Sequence, residues 1–433
     1  MLISTVGRRG FAPLPPGARD LLPSALRRRR ALTERLLAIF GGWGYEAVAT
    51  PSVEYFEVFG RGLSERERGR CVRFISPGSG ELVTLRADVT PQIARLAGQR
   101  LGERLRGGES LRLAYAADVV RLPEGPRAAA EHHQVGVELI GDGSPAADAE
   151  LLELAHSVLI DLGVTGARFD LAHVGIARAL LDALELAPED RDDLVARLGR
   201  KDAGAVASLL DDVAAEPRLR AAVLALIELY GSPDVLTSAR ERLPLPSVHA
   251  AIDELIGVIE QVRENAPAVA AALSVDLGEV RGFDYYSGLR VRVWLPGSPQ
   301  PVVLGGRYDH LVGHYGVDAP ATGFAIELDA LDAALSAGLS EDERGCEIGL
   351  LVAVDPGAGA AAGALAARLA EDARGSGEPV RVAAALPFAS AKRVAVRTGA
   401  QRIIQVTVDD GRPRCASWRR AEAGRWQPES EVR

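Results

Sequence analysis

Three stretches of this 433-residue chain crowd polar groups into otherwise apolar sequence. The first is Thr84-Leu85-Arg86-Ala87-Asp88-Val89-Thr90-Pro91. The second is Glu131-His132-His133-Gln134-Val135-Gly136-Val137-Glu138. The third is Arg281-Gly282-Phe283-Asp284-Tyr285-Tyr286-Ser287-Gly288. Successive side chains of a strand point to opposite faces, so Gln134, Gly136 and Glu138 share one face while Val135, Val137 and Leu139 take the other. A glutamine and a carboxylate on one face suit a small polar ligand that bears amines. Taken alone, the same row serves equally well as a solvated outer face. Asp88, Thr90 and the Tyr285-Tyr286 pair favour a preformed pocket. Other chemistry is absent: the chain has no GxxxxGK[ST], HExxH or GxSxG motif. Gly305-Gly306 reads as a turn. His132 and His133 are adjacent, face opposite sides of a strand, and do not suit a shared metal.

The elements that must position these groups follow from periodicity. Leu32, Leu36, Ile39 and Phe40 mark an amphipathic helix with Ser24 as its N-cap and Gly41, Gly42 and Gly44 at its end. Strands are expected near 46–49, 71–75, 82–86, 111–121 and 134–140, a helix over 145–162, and a strand over 167–171. From about 176 to 272 the pattern is almost wholly helical, and strand signals resume at 274–280, 289–294 and 302–304. Helices and strands that mix without strict alternation predict a mainly antiparallel α+β domain over 1–335, interrupted by that helical insertion. A polar linker is expected over 336–345. The tail, 346–433, alternates strand and helix and predicts a small α/β domain with parallel pairing.

Composition narrows the function classes. A net charge of −9 and a pI near 5.5 argue against a large nucleic-acid footprint. No apolar run reaches the ~20 residues of a membrane helix, and Met1–Gly10 lacks the apolar core of a signal peptide. The cysteines, Cys71, Cys346 and Cys415, form neither a CxxC spacing nor a disulfide framework, which fits a reducing cytoplasm. The Arg27–Arg30 run reads as a solvated helix face rather than an RNA contact.

The three segments, together with Gly17-Ala18-Arg19-Asp20-Leu21-Leu22-Pro23 and the stretch from Gly44-Tyr45 to Thr50-Pro51, resemble histidyl-tRNA synthetases and their paralogues, the ATP phosphoribosyltransferase regulatory subunits. The resemblance runs to about Leu335, with the helical insertion as a looser match. It implies a class II aminoacyl-tRNA synthetase-like fold, an antiparallel sheet flanked by helices. Two departures separate the paralogues. Where synthetases read GFAxGxERL, this chain reads Gly323-Phe324-Ala325-Ile326-Glu327-Leu328-Asp329-Ala330-Leu331, so Ala330 stands at the arginine position and Glu327 replaces a glycine. Around Arg121, which is kept, the following acidic–basic pair is gone and Ala130 stands where an arginine precedes the strand. Losing one such group costs ~3 kcal/mol of transition-state stabilisation, and losing several leaves little adenylation.

The amino-acid side is kept. The resemblance assigns Asp88, Thr90, Arg121, Gln134, Glu138, Arg281, Tyr285 and Tyr286 to histidine. Asp88 and Glu138 would hold the ammonium and the imidazole edge, Gln134 would orient the ligand, Arg281 would meet its carboxylate, and the tyrosines would close the ring pocket. Asp284 and Tyr285 look more synthetase-like than in many regulatory subunits. The tail from Cys346 to about Trp418 resembles a reduced anticodon-binding domain. What this implies is a non-catalytic regulatory subunit without cofactor or metal. It would bind the short-form ATP phosphoribosyltransferase catalytic subunit, self-associate as dimers within a hetero-oligomer, activate the first step of histidine biosynthesis and transmit feedback inhibition by L-histidine. An active histidyl-tRNA synthetase and a stand-alone histidine- or tRNA-binding module are the alternatives.

Overall fold

Alternating apolar residues place most of the strands in one sheet. In the computed structural model, residues 14–125, 128–280, 285–336, 348–421 and 424–432 are described. Among them, nine strands pair in the spatial order Glu46–Ala47, Leu111–Val120, Glu131–Ile140, Ala321–Glu327, Val303–Arg307, Leu289–Trp294, Arg168–His173, Leu273–Asp276, Tyr230–Gly231. Pairing is antiparallel except where Glu46–Ala47 meets Leu111–Val120 and Arg168–His173 meets Leu273–Asp276. Both parallel pairs are joined by long excursions, as parallel neighbours require. The fold class is α+β and class II synthetase-like, as expected.

One face of this sheet is apolar and covered by helices. Val135, Val137, Phe324 and Ile326 are buried there against Leu151, Leu152 and Leu154 of the helix Pro145–Asp161. That helix starts at Ser144, whose hydroxyl accepts the Ala147 N–H, and Pro145 at its first position has no N–H to lose. Between Val174 and Ala270 every element is a helix apart from the two-residue strand Tyr230–Gly231, with short connections between them. Leu194, Leu198, Leu209 and Leu210 from these helices belong to the same core as the sheet. A separate three-stranded sheet pairs Val53–Tyr55, Leu82–Leu85 and Arg73–Ile75.

The described residues divide into two compact units, one of 14–20 with Arg29–Leu335, the other of Leu21–Arg28 with the described residues from Ser336 onward. In the second, Val380–Ala383, Leu350–Val354 and Arg402–Asp409 are parallel neighbours, and Arg412–Arg420 and Trp426–Val432 extend the sheet antiparallel. The last two strands carry no clean alternation and were not expected from the sequence. The expected linker, apart from Ser336, and Cys346 lie outside the described residues.

Two local expectations are corrected. Ser24 is not the N-cap of the first helix, which runs Pro23–Gly42 and so contains it. A proline fits the first helical position because its fixed φ suits the helix and its missing N–H would be unpaired there. Gly305-Gly306 is not a turn. It lies inside the strand Val303–Arg307, opposite Phe324 and Gly323. A Cβ on Gly305 would overlap Phe324 and the Gly323 carbonyl, and one on Gly306 the Leu289 carbonyl, so the glycines serve close strand approach.

Candidate functional site

The other face of the sheet is the floor of a polar cavity of about 130 Å³. Since one buried water needs roughly 10–15 Å³ by this measure, the space holds on the order of ten water-sized atoms, the scale of a small amino acid. Its walls bring together Asp88, Thr90, Arg121, Gln134, Glu138, Tyr285 and Tyr286. Arg281, the remaining residue expected at the ligand, lies outside the described residues.

Each group reaches the cavity from a different element. The strand Leu82–Leu85 ends just before Asp88, and Thr90 opens the helix Thr90–Arg100. Asp88 Oδ1 accepts the Thr90 N–H at 3.0 Å, which ties the turn to the helix start. Arg121 follows the strand Leu111–Val120. Its Nε donates to the Ala87 carbonyl at 2.6 Å, and its Nη2 lies 3.6 Å from Asp88 Oδ2. Burial pushes the Asp88 carboxyl up, and the Arg121 charge opposes that. Arg86, in the same polar segment, instead donates to the Asp118 and Thr50 carbonyls and holds strands together.

Glu138 sits at the cavity floor with 1% exposure. Thr90 Oγ1 donates to its Oε1 at 2.8 Å, and the Tyr308 hydroxyl donates to its Oε2. Burial pushes Glu138 up to about 8 in spite of these donors. The side chain fits only because its cross-strand partner is Gly323: a Cβ there would overlap the carboxylate. Tyr285 and Tyr286 form the roof, with ring centroids 4.7 Å apart, and Tyr308 meets Tyr285 edge-on at 6.0 Å.

Sequence reasoning missed Tyr308, Arg290 and Glu67 as cavity residues. Arg290 had a readable signal. Leu289–Trp294 runs LRVRVW, and arginines in strict alternation with apolar residues mark a strand face that needs acids. Glu279 supplies them, bonding Arg290 at 3.3 Å and Arg292 more closely. Tyr308 and Glu67 carry no such signal. Tyr308 is set by Arg307, whose guanidinium holds Asp148 at 2.9 Å, Asp309 at 3.0 Å and the carbonyls of Asp142 and Ser144. Asp309 in turn accepts from the Ser287 hydroxyl at 3.0 Å and so anchors the tyrosine segment.

Residues 17–331 match the family model for histidyl-tRNA synthetase. The ATP phosphoribosyltransferase regulatory subunit of Ralstonia pickettii (strain 12J) is 36% identical over 317 residues, 73% of this chain and 79% of that protein. The chain belongs to the family of ATP phosphoribosyltransferase regulatory subunits, within the histidyl-tRNA synthetase fold. A crystal structure of an ATP phosphoribosyltransferase regulatory subunit/histidyl-tRNA synthetase from Bacillus halodurans C shares that fold, with a TM-score of 0.77 and 24% identity over 92% of this chain and 99% of that one. A histidine–tRNA ligase subunit from Alicyclobacillus acidocaldarius is 31% identical, with a TM-score of 0.65, over 77% of this chain and all of that one.

In this regulatory-subunit chain, the positions that differ from the synthetase motifs have other occupations. Ala330 is 6% exposed and belongs to the apolar core. Asp329 is held by Arg19 and Arg29. Ala130 donates its N–H to the Gly17 carbonyl at 3.0 Å, and Gly17 is left-handed with its backbone against Ala130. Glu327 lines the cavity. His133 bonds Asp118 at 2.7 Å, while the His132 ring lies 3.8 Å from Glu327. Among the described residues, no cluster of three or more His, Cys, Asp or Glu side chains could hold a metal, and no helix is long and apolar enough to cross a membrane.

Proposed function

We propose that this regulatory subunit binds free L-histidine in the cavity and transmits its occupancy to a short-form ATP phosphoribosyltransferase catalytic subunit, with no catalysis of its own. The observation that carries the reading is the composition of the cavity wall. Three carboxylates, Glu67, Asp88 and Glu327, face two guanidiniums, Arg121 and Arg290, beside the Glu138 carboxyl that burial pushes up to about 8. Each guanidinium is already close to an acid, Asp88 for Arg121 and Glu279 for Arg290. That balance attracts an ammonium and repels a triphosphate. Apolar burial of Ala330 removes a cation from the place where the synthetase motif carries its arginine.

In this reading Asp88 takes the α-ammonium and Gln134 orients it. Glu138 and Tyr308 meet the imidazole edge, Tyr285 and Tyr286 cover the ring, and Arg121 meets the carboxylate, a role that the family resemblance gives to Arg281 as well. The chain works in the cytoplasm, as dimers within a hetero-oligomer. Histidine inhibits only if the inactive assembly binds it more tightly than the active one does, and linkage then makes histidine and whatever favours the active assembly oppose each other reciprocally. Calorimetric titration of the purified chain with L-histidine, and separately with ATP, tests the reading. Saturable binding of histidine and none of ATP is expected. Binding of ATP followed by histidine-dependent pyrophosphate exchange would replace this reading with a synthetase.

A further inference from the structure

Glu327 and Gln134 are direct cross-strand partners on the cavity floor. Gln134 Nε2 donates to Glu327 Oε1 at 2.7 Å, and Glu327 Oε2 is 3.8 Å from His132 Nδ1. An ionised carboxylate only accepts hydrogen bonds, so it dictates which end of a neighbouring amide faces it. The NH₂ group of Gln134 is committed to Glu327. Its Oε1 is left as the acceptor of a 5%-exposed, cavity-lining side chain, and it accepts no hydrogen bond among the described residues. That oxygen is not sealed off in the core: it opens on the cavity, where a ligand N–H can reach it. Asp88 lines the same cavity.

We propose that Glu327 is a positioning residue that holds the Gln134 amide with its oxygen presented to the ligand, and that with Asp88 this makes the cavity selective for a primary ammonium group and closed to phosphate-type anions. The inference rests on the amino-acid reading above and adds the origin of its selectivity. A neutral amide at position 327 can donate or accept, so it no longer fixes Gln134, and it withdraws one negative charge. A glycine there removes both the bond and the charge.

The test uses the full chain and calorimetry, with L-histidine, histidinol (amine kept, carboxylate absent), imidazolepropionate (carboxylate kept, amine absent) and inorganic pyrophosphate as probes. Glu327→Gln is expected to weaken L-histidine and histidinol by about tenfold or more, the effect of one charge-linked hydrogen bond. Imidazolepropionate should lose less than about twofold or bind better, because the repulsion of its carboxylate is reduced. Glu327→Gly is expected to admit pyrophosphate, which the parent chain rejects, and this arm is read independently of the amino-acid ligands. Unchanged binding of histidine and histidinol by Glu327→Gln, or an equal loss for all three imidazole ligands, overturns the inference and leaves histidine sensing standing. A parent chain that binds pyrophosphate also overturns the inference. A parent chain that binds neither L-histidine nor histidinol overturns the amino-acid reading and this inference with it. Thermal melts of both variants check that the fold is retained.

Discussion

Burial pushes the Glu138 carboxyl up to about 8, against the opposing pull of its Tyr308 and Thr90 donors. Unfolded, the same group titrates near 4.5. Between those values the folded chain binds more protons than the unfolded one, so stability falls as pH rises. The contribution is complete below about pH 4.5 and is lost as pH climbs through 8. Glu138→Gln keeps the shape and removes the titration. Chemical denaturation at pH 5 and pH 8 should show the parent losing on the order of a few kcal/mol more than the variant across that interval. Histidine binding gives a second readout. A ligand N–H favours the ionised carboxylate, so binding at pH 7 should release up to about one proton, measured as a buffer-dependent calorimetric enthalpy, and Glu138→Gln should abolish that release.

At the scale of the elements, the site depends on strands that approach more closely than side chains would permit. Gly323 makes room for Glu138, Gly136 for the Tyr115 ring, and Gly305 for Phe324. Gly323→Ala inserts a methyl into the Glu138 carboxylate and should cost at least the ~1–3 kcal/mol of overpacking, with loss of histidine binding, read by denaturation and calorimetry. Arg307 is the second device. It joins the strand Val303–Arg307 to the helix Pro145–Asp161 through Asp148 and to the tyrosine segment through Asp309. Asp148 is 4% exposed, so Arg307→Met leaves an acid buried without its cation. The expected cost is ~3–5 kcal/mol, read as a fall in the denaturation midpoint, and it should be smaller at low pH, where Asp148 is protonated.

At the scale of the molecule, each of the two units has buried apolar clusters of its own. Leu350, Val352, Ile404 and Val406 form one side of the smaller unit's sheet core and Leu351, Ala353 and Ile403 the other. The larger unit's apolar clusters contain none of them. Separate cores unfold as separate cooperative units. Scanning calorimetry should resolve two transitions. L-histidine at about 100 times its Kd should raise only the one belonging to the larger unit, by the equivalent of ~2.7 kcal/mol. A shift of the smaller unit's transition instead would place the ligand elsewhere.

The amino-acid sequence by itself determined the α+β class and the strands on either side of the helical stretch. It also determined the shared face of Gln134 and Glu138, because alternation with a period of two is local information. The resemblance carried by Gly17–Pro23, the Asp88–Thr90 segment and the tyrosine pair located the family, and it named Asp88, Thr90, Tyr285 and Tyr286, which line one cavity. Tertiary structure alone decided that Gly305-Gly306 is strand, because the overlap that glycine avoids there comes from the strands that carry Leu289 and Phe324. It alone placed Tyr308 on Glu138, across 170 residues of chain, and Glu327 on Gln134, across 193. Hydrogen bonds over such separations leave no periodic trace. They exist because the sheet order sets the strands of residues 131–140, 303–307 and 321–327 side by side, and that order is a property of the whole core rather than of any segment.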